Sequence, residues 1–174
     1  LYVLERNHDR PANLEQHSSN DDCGAGRARV ELTEMKAKVA VVTGAARGIG
    51  LAIVERFLAD GNSVALLDID GETLRQTSER LGKCDDILAI ECDVADPQQV
   101  DAAIKTIAAH FGRIDALVNN AGIAVFKPIL ETTYDEWSRV MAVNLFGPFL
   151  CTQACAPVML KSGGGSVVNI ASIS

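Results

Sequence analysis

Five short apolar runs rich in β-branched residues alternate with helical patterns, and this alternation restricts the fold more than any other feature of the sequence. The runs span residues 39–43, 63–67, 87–91, 114–119 and 166–170. Helical patterns occupy residues 49–60, 72–81, 97–111 and 134 to about 161. Strands that are apolar on both faces are typical of a parallel sheet with helices on each side. The sequence therefore predicts an α/β fold with a doubly wound parallel sheet.

Several helix ends carry residues with a capping role. Pro97 suits a first helical turn, because the N–H that proline lacks has no intrahelical partner there. Thr133 and Glu136 have the spacing of a capping box, which predicts a helix beginning at Tyr134. The glycines at 163–165 are expected to end that helix and to lead into the last strand.

Residues 1–34 differ from the rest of the chain. They are mostly polar and lack helical or strand periodicity, so we expect a disordered or non-native extension, with Met35 as the natural start. A regulatory arm is the alternative interpretation. Residues 35–174 are expected to form one folded domain.

Charge and composition narrow the possible classes of function. The formal net charge is −7 and no basic stripe is present, which argues against nucleic-acid binding. No uninterrupted apolar run reaches about 18 residues, so no membrane span is expected. The 5 cysteines are scattered and lack companion histidines, so we expect no metal site and reduced thiols in a cytoplasmic protein.

A glycine-rich turn between the first strand and the first helix is the clearest functional motif. It reads Thr43-Gly44-Ala45-Ala46-Arg47-Gly48-Ile49-Gly50. Gly44 permits a tight turn, Gly48 lets the backbone approach a pyrophosphate, and Gly50 lets the helix pack on the strand. Free N–H groups and the positive end of the helix then face the phosphates. The motif predicts a dinucleotide site.

Asp68, at the tip of the second strand, bears on which dinucleotide is bound. Its carboxylate can accept hydrogen bonds from the ribose 2′-OH of NAD and repels the 2′-phosphate of NADP. Arg47 favours NADP instead, because a cation beside the turn can bind a 2′-phosphate. The sequence favours NAD, with NADP as the alternative. If neither residue contacts a cofactor, Asp68 is a solvated acid at the end of a strand and Arg47 is a solvated turn residue.

Four further motifs give the chain a resemblance to the short-chain dehydrogenase/reductase family. Besides the glycine spacing, they are Asp93-Val94 after the third strand, Asn119-Asn120-Ala121-Gly122 after the fourth, Asn144 in the long helix and Ser172 after the fifth. The resemblance implies a Rossmann-type sheet of strand order 3-2-1-4-5, incomplete on its C-terminal side. It also implies transfer of hydride between NAD(H) and a small alcohol or ketone, in a homodimer or homotetramer.

The same resemblance implies roles for these residues. Asp93 and Val94 would contact adenine, Asn120, Ala121 and Gly122 would line the cofactor crevice, and Asn144 and Ser172 would be catalytic. A structural turn is the alternative for residues 120–122, and both interpretations can hold together.

Pro148 follows Asn144 by four residues and cannot donate a hydrogen bond to its carbonyl. A kink there would free that carbonyl for a proton-relay water. A simple bend with Asn144 satisfied locally is the alternative.

The family's catalytic Tyr-x-x-x-Lys motif is expected shortly after Ser172, and residues 1–174 do not contain it. Tyr134 has Ser138 where the lysine would stand, and Tyr2 lies in the extension. We therefore expect an incomplete sequence of an active dehydrogenase, inactive as it stands and with an unpaired apolar edge on its last strand. A non-catalytic dinucleotide-binding module is the alternative, and another Rossmann-like class is disfavoured.

Overall fold

A single mixed sheet forms the centre of the molecule. The computed structural model describes Tyr2–Glu5 and residues 37–82 and 85–172. Its strands are β1 (Tyr2–Glu5), β2 (Val39–Thr43), β3 (Ser63–Asp68), β4 (Ile87–Glu91), β5 (Ala116–Asn119) and β6 (Gly164–Asn169). Their order is β1-β6-β5-β2-β3-β4. Strands β2 to β6 are parallel and correspond to the five predicted strands, so the predicted order 3-2-1-4-5 is confirmed.

Helices cover both faces of the sheet. They are α1 (Gly48–Ala59), α2 (Gly71–Leu81), α3 (Pro97–Phe111), α4 (Tyr134–Met141) and α5 (Gly147–Lys161). A 3₁₀ turn (Ile129–Glu131) precedes α4, and a π-helical turn (Ala142–Phe146) joins α4 to α5. One apolar core contains buried residues of α3 and α5, and a second contains buried residues of α1 and α2. The doubly wound prediction is confirmed.

The predicted helix ends are largely observed. Pro97 occupies the first turn of α3, behind the N-cap Asp96. Thr133 and Glu136 form both hydrogen bonds of a capping box at α4. Gly163 has a φ of 101°, a backbone conformation that favours glycine, and turns the chain into β6.

Strand β1 changes two expectations about the chain ends. It pairs antiparallel with β6, with Tyr2 opposite Val167, so the edge of β6 is covered rather than unpaired. The sequence did not predict β1, because its four residues are too few to show strand periodicity. The backbone groups at the edge of β6 therefore have partners that were not expected. The extension therefore begins with a strand. Residues 6–34 of the extension lie outside the described residues.

One helical stretch bears on the membrane prediction. Tyr134–Lys161 has 28 residues and contains an 18-residue window with a mean hydropathy of 1.4, which suffices to cross a membrane by length and composition alone. Core helices of α/β domains meet the same criterion, and α5 buries Cys151, Cys155 and Met159 against the sheet. The absence of a membrane span remains a prediction.

Candidate active site

A cleft of about 230 Å³ opens at the carboxyl edge of the parallel strands. This edge is where ligands bind in doubly wound sheets, at the point where the strand order reverses. Eight of the predicted site residues line it: Gly44, Arg47, Asp68, Asp93, Val94, Asn120, Ala121 and Gly122. Five lining residues were not singled out from the sequence: Ile69, Cys92, Ile123, Arg139 and Val143.

The glycine turn is shaped by close backbone approaches. A Cβ on Gly50 would lie 2.1 Å from the carbonyl oxygen of Gly44, and one on Gly44 would lie 2.9 Å from Cα of Ala121. Gly48 has a φ of 61°, and a Cβ there would meet no atom within 4 Å. Gly44 and Gly50 are therefore required by packing, whereas Gly48 is favoured by its backbone conformation and borders open space.

The N-terminus of α1 differs from those of its neighbours. Helices α2, α3 and α4 begin with capping side chains, whereas Arg47, the N-cap of α1, makes no side-chain capping hydrogen bond. The first N–H groups of a helix have no intrahelical acceptors. Gly48 and Ile49 are exposed, so the start of α1 is accessible to an anionic ligand. This arrangement fits a diphosphate.

Thr43, at the end of β2, organises the floor of the cleft. Its buried hydroxyl oxygen accepts hydrogen bonds from the backbone N–H groups of Asn120 and Ala121, each at 3.0 Å. In return, the Asn120 side-chain amide donates to the carbonyl oxygens of Thr43 and Gly44 at 3.0 and 3.1 Å. Asn120 thus supports the glycine turn while it lines the cleft. A polar residue ending an apolar strand was the sequence signal for Thr43.

Asp68 is fastened to the backbone around it. Its two carboxylate oxygens accept hydrogen bonds from the N–H groups of Ala46, at 2.9 Å, and Asp70, at 3.0 Å. The hydroxyl of Thr77 donates to the carbonyl of Ala46 at 2.7 Å, so both backbone groups of that residue are held. Asp68 is half-buried, and its carboxylate has a fixed orientation beside the cleft. It is not a freely solvated strand-end acid.

Arg47 extends away from the turn into an ion pair. Its guanidinium donates to the carboxylate of Asp70 at 3.0 Å, and 72% of its side chain is exposed. Asp70 is also the N-cap of α2. The Arg47 side chain is therefore neither a cap for α1 nor a simple solvated turn residue.

Asp93 is held between β4 and α4. One carboxylate oxygen accepts from the N–H of Ala95 at 3.0 Å, and the other accepts from the Arg139 guanidinium at 2.9 Å. The adjacent Val94 packs against Gly147, where a Cβ would lie 2.9 Å from the valine methyl group. These contacts bring α4 and α5 against the cleft wall.

Asn144 lies in the π-helical turn, where the chain departs from α-helical geometry. The N–H of Gly147 donates to the carbonyl of Ala142, five residues back. The predicted kink is thus a π-helical turn, in which the missing N–H of Pro148 is tolerated. The Asn144 side chain forms two hydrogen bonds with the backbone of Ile123, accepting from its N–H at 2.9 Å and donating to its carbonyl at 2.8 Å. Its side chain is thus satisfied by a residue 21 positions earlier in the chain, not within the helix as the alternative interpretation expected. The relay role of its carbonyl stays a hypothesis.

The remaining predicted site residues lie outside the cleft lining. Gly48, Ile49 and Gly50 begin α1, and Asn144 reaches the cleft through Ile123. Ser172 is exposed, three residues after the last residue of β6. The structure therefore gathers eight of the eleven predicted cofactor residues in one cleft, but it does not bring Asn144 and Ser172 into its lining.

Two buried thiols lie in or near this region without nucleophilic character. Burial raises the pKa of Cys92, which lines the cleft, to about 11, with Asp93 and Asp96 adding to the effect. Burial likewise raises the pKa of Cys151 to about 12. Both thiols are protonated at neutral pH, and a thiol rather than a thiolate is a poor nucleophile.

Comparison with known proteins gives consistent matches over the folded region. A family model described as short chain dehydrogenase matches residues 38–174. D-threitol dehydrogenase of Mycolicibacterium smegmatis is 44% identical over 136 residues, covering 78% of this chain and 52% of that protein. 2-(R)-hydroxypropyl-CoM dehydrogenase of Xanthobacter autotrophicus is 47% identical over 142 residues, covering 79% and 57%. The chain thus spans about half the length of these curated relatives.

Among solved structures, the 3-ketoacyl-(acyl-carrier-protein) reductase of Brucella melitensis, complexed with NADH, superimposes with a TM-score of 0.74. It is 32% identical, and the match covers 79% of this chain and 58% of that one. The aldohexose dehydrogenase of Thermoplasma acidophilum, in ligand-free form, gives a TM-score of 0.69 at 41% identity, covering 79% and 50%.

Proposed function

Because this chain belongs to the short-chain dehydrogenase family of NAD(P)-binding oxidoreductases, we propose that the whole protein transfers hydride between NAD(H) and a small alcohol or ketone. Bound NAD(H) supplies the hydride chemistry, and residues 38–174 supply the cofactor cleft. The proposal concerns the whole protein, since the matched relatives are about twice as long as the matched region. A cytoplasmic location and a homodimer or homotetramer belong to the same proposal.

The start of α1 is the observation that carries this proposal. A glycine turn with two packing-required glycines leads into a helix whose first N–H groups have no side-chain cap. Backbone donors and the positive helix end together favour an anion at this position. A diphosphate lying there would extend toward Asp68 on one side and toward Gly122 on the other, since both line the same cleft.

The preference for NAD over NADP rests on Asp68. Its carboxylate is oriented by the N–H groups of Ala46 and Asp70. Each oxygen retains a lone pair that can accept a hydrogen bond from a ribose hydroxyl. A 2′-phosphate would instead bring two negative groups together, at a cost of up to about 4 kcal/mol for close charges at an effective dielectric of 20.

Asn144 and Ser172 are proposed to serve the proton and substrate side of the reaction. Asn144 fixes the backbone of Ile123 and thereby the wall of the cleft. Its carbonyl would hold a water for proton transfer, and the Ser172 hydroxyl would hydrogen-bond the substrate oxygen. These roles come from the family resemblance and the position of the two residues after β5 and β6.

Binding measurements with the whole protein test the cofactor half of the proposal. Titration with NADH and NADPH, followed by nicotinamide fluorescence, should give tighter binding of NADH. Asp68→Asn should reduce that preference by roughly 10-fold, because the repulsion of the 2′-phosphate is relieved. Asp60→Asn, which changes an exposed acid at the far end of α1, is the matched control and should leave the preference unchanged. Tighter binding of NADPH by the unmodified protein would overturn the NAD assignment.

An oxidation assay separates the enzyme from a non-catalytic module. A panel of small secondary alcohols and polyols with NAD should produce absorbance at the wavelength of NADH for at least one substrate. NADH binding without turnover of any alcohol or of the corresponding ketones would favour the dinucleotide-binding module instead.

A further inference from the structure

Asp70 lies where it can influence the cofactor through another residue. It follows Asp68 by two positions, and its N–H donates to the Asp68 carboxylate at 3.0 Å. Its own carboxylate accepts from the Arg47 guanidinium at 3.0 Å. Two acidic residues and one arginine therefore meet at the end of β3 where the adenosine ribose is proposed to lie.

The Asp70 carboxylate is a fixed partner in this ion pair. As the N-cap of α2 it accepts hydrogen bonds from the N–H of Thr73 at 3.1 Å and from the Thr73 hydroxyl at 2.8 Å. These hydrogen bonds, assisted by Arg47, hold the pKa of Asp70 below its ordinary value, so the carboxylate stays charged at neutral pH. Only 33% of its side chain is exposed, against 72% for Arg47. The aspartate is therefore held by α2 as well as by the ion pair, whereas the exposed Arg47 side chain hydrogen-bonds to Asp70.

We propose that Asp70 is a positioning residue for cofactor specificity, which holds Arg47 in an ion pair and so withholds this cation from a 2′-phosphate. The inference rests on the proposed dinucleotide function. Asp68 and Asp70 outnumber the arginine, so the charge around the ribose is negative while the pair is closed. Release of Arg47 would leave it free to bind a phosphate at the position that Asp68 would otherwise repel.

The effect has a modest expected size. An exposed ion pair contributes little to stability, so the cost of opening it is small and sets a ceiling on the discrimination. We expect removal of the Asp70 charge to strengthen binding of a 2′-phosphorylated ligand by about 2- to 5-fold. Binding of the unphosphorylated ligand should change by less than about 2-fold, because Arg47 is not needed for it.

The test uses the whole protein with ADP-ribose and 2′-phospho-ADP-ribose, which would occupy the adenosine and diphosphate part of the cleft. Asp70→Asn removes the charge and retains a good helix cap. Asp70→Ser does the same with a shorter side chain, should the first variant fold poorly. Asp70→Glu keeps the charge and should stay close to the unmodified protein. The single variant Arg47→Gln and the double variant Arg47→Gln/Asp70→Asn complete a double-mutant cycle. Calorimetric titration measures the affinity of each variant for both ligands.

The proposal is supported if Asp70→Asn binds 2′-phospho-ADP-ribose more tightly than the unmodified protein and if this gain in affinity disappears in the Arg47→Gln background. An equal gain in both backgrounds overturns it, because the Asp70 charge would then act by direct repulsion. An unchanged ratio in Asp70→Asn and Asp70→Ser, with ADP-ribose still bound, also overturns it. Failure of the unmodified chain to bind ADP-ribose would contradict the dinucleotide function itself.

Discussion

Substitution of Gly50 by alanine tests the packing of the phosphate turn. The new Cβ would lie 2.1 Å from the Gly44 carbonyl oxygen and 2.7 Å from the side-chain nitrogen of Asn120. Favourable contacts between such atoms begin near 3.5 Å, so the turn must open by more than about 1 Å. The obstructing oxygen belongs to the backbone, and it cannot rotate away as a side chain does.

The magnitude follows from the comparison of two opposing effects. Alanine in an unobstructed helical position stabilises by about 0.5–1 kcal/mol relative to glycine. Overpacking against a fixed neighbour costs about 1–3 kcal/mol. We therefore expect Gly50→Ala to lower the free energy of unfolding by a net of about 1 kcal/mol. The displaced turn should also weaken ADP-ribose binding by at least about 10-fold, because a shift of 1 Å removes backbone hydrogen bonds to the diphosphate.

Gly61→Ala is the matched control for this experiment. Gly61 has a φ of 76°, and a Cβ there would meet no atom within 4 Å. Gly61→Ala should lower the free energy of unfolding by about 1–2 kcal/mol through backbone strain alone. It should leave ADP-ribose binding unchanged. Urea unfolding followed by circular dichroism and calorimetric titration give both quantities. A Gly50→Ala protein that is more stable than the unmodified chain, and binds ADP-ribose normally, would refute the packing argument.

Two further predictions concern the hydroxyl of Thr43 at the end of β2 and the loss of stability at acidic pH. Thr43→Val should lower the free energy of unfolding in urea by about 2–6 kcal/mol, because the N–H groups of Asn120 and Ala121 lose their acceptor, at a cost of about 1–3 kcal/mol each. Thr43→Ser keeps the hydroxyl and should cost clearly less; equal losses for the two variants would contradict this role. The Asp115 carboxylate has a pKa below its ordinary 3.8, because hydrogen bonds from Arg113 and a backbone N–H outweigh the opposing effect of burial. A depressed folded-state pKa contributes stability above pH 3.8 that is lost as the pH falls through the lower folded value. The stability advantage of the unmodified chain over Asp115→Asn, measured by thermal unfolding, should therefore narrow below about pH 4, and an advantage independent of pH would exclude this linkage.

The secondary structure was predictable wherever an apolar pattern coincides with backbone pairing. Residues 39–43 and 97–111 were predicted with the bounds that the structure has. In contrast, the predicted strand from residue 114 begins at Ala116, although Ile114 is fully buried. An apolar run indicates that its residues are buried, but a buried residue such as Ile114 can lie outside the sheet. The last strand begins two residues early, at Gly164, because these glycines pair with β1 through their backbone alone.

The composition of the cleft was predictable from motifs, but its internal contacts were not. Parallel strands bring Gly44, Asp68 and Asp93 to one edge, so a motif at each strand end suffices to place them together. The ion pairs of Arg47 and Arg139 depend on which way two long side chains turn. The sequence offers several acids to each arginine, and only the folded backbone selects among them.

The missing N–H of Pro148 was evident from the sequence, whereas the form of the resulting distortion was not. The chain inserts a π-helical turn, and Gly147 donates to Ala142 five residues back. A bend, a break or a π-turn would each accommodate the proline locally. The close packing of Gly147 on Val94 favours the solution that keeps the helix continuous along the sheet.

The bare start of α1 couples occupancy of the cleft to the integrity of the first β-α-β unit. A bound diphosphate would complete the hydrogen bonding that capping side chains provide at the starts of α2, α3 and α4. Occupancy would then slow hydrogen exchange at the amides of Gly48 to Gly50 and raise the melting temperature with ligand concentration. In this sense the nucleotide would be a structural part of the domain as well as its reagent, and we expect the apo and loaded forms to differ in rigidity where the cofactor's charge is greatest.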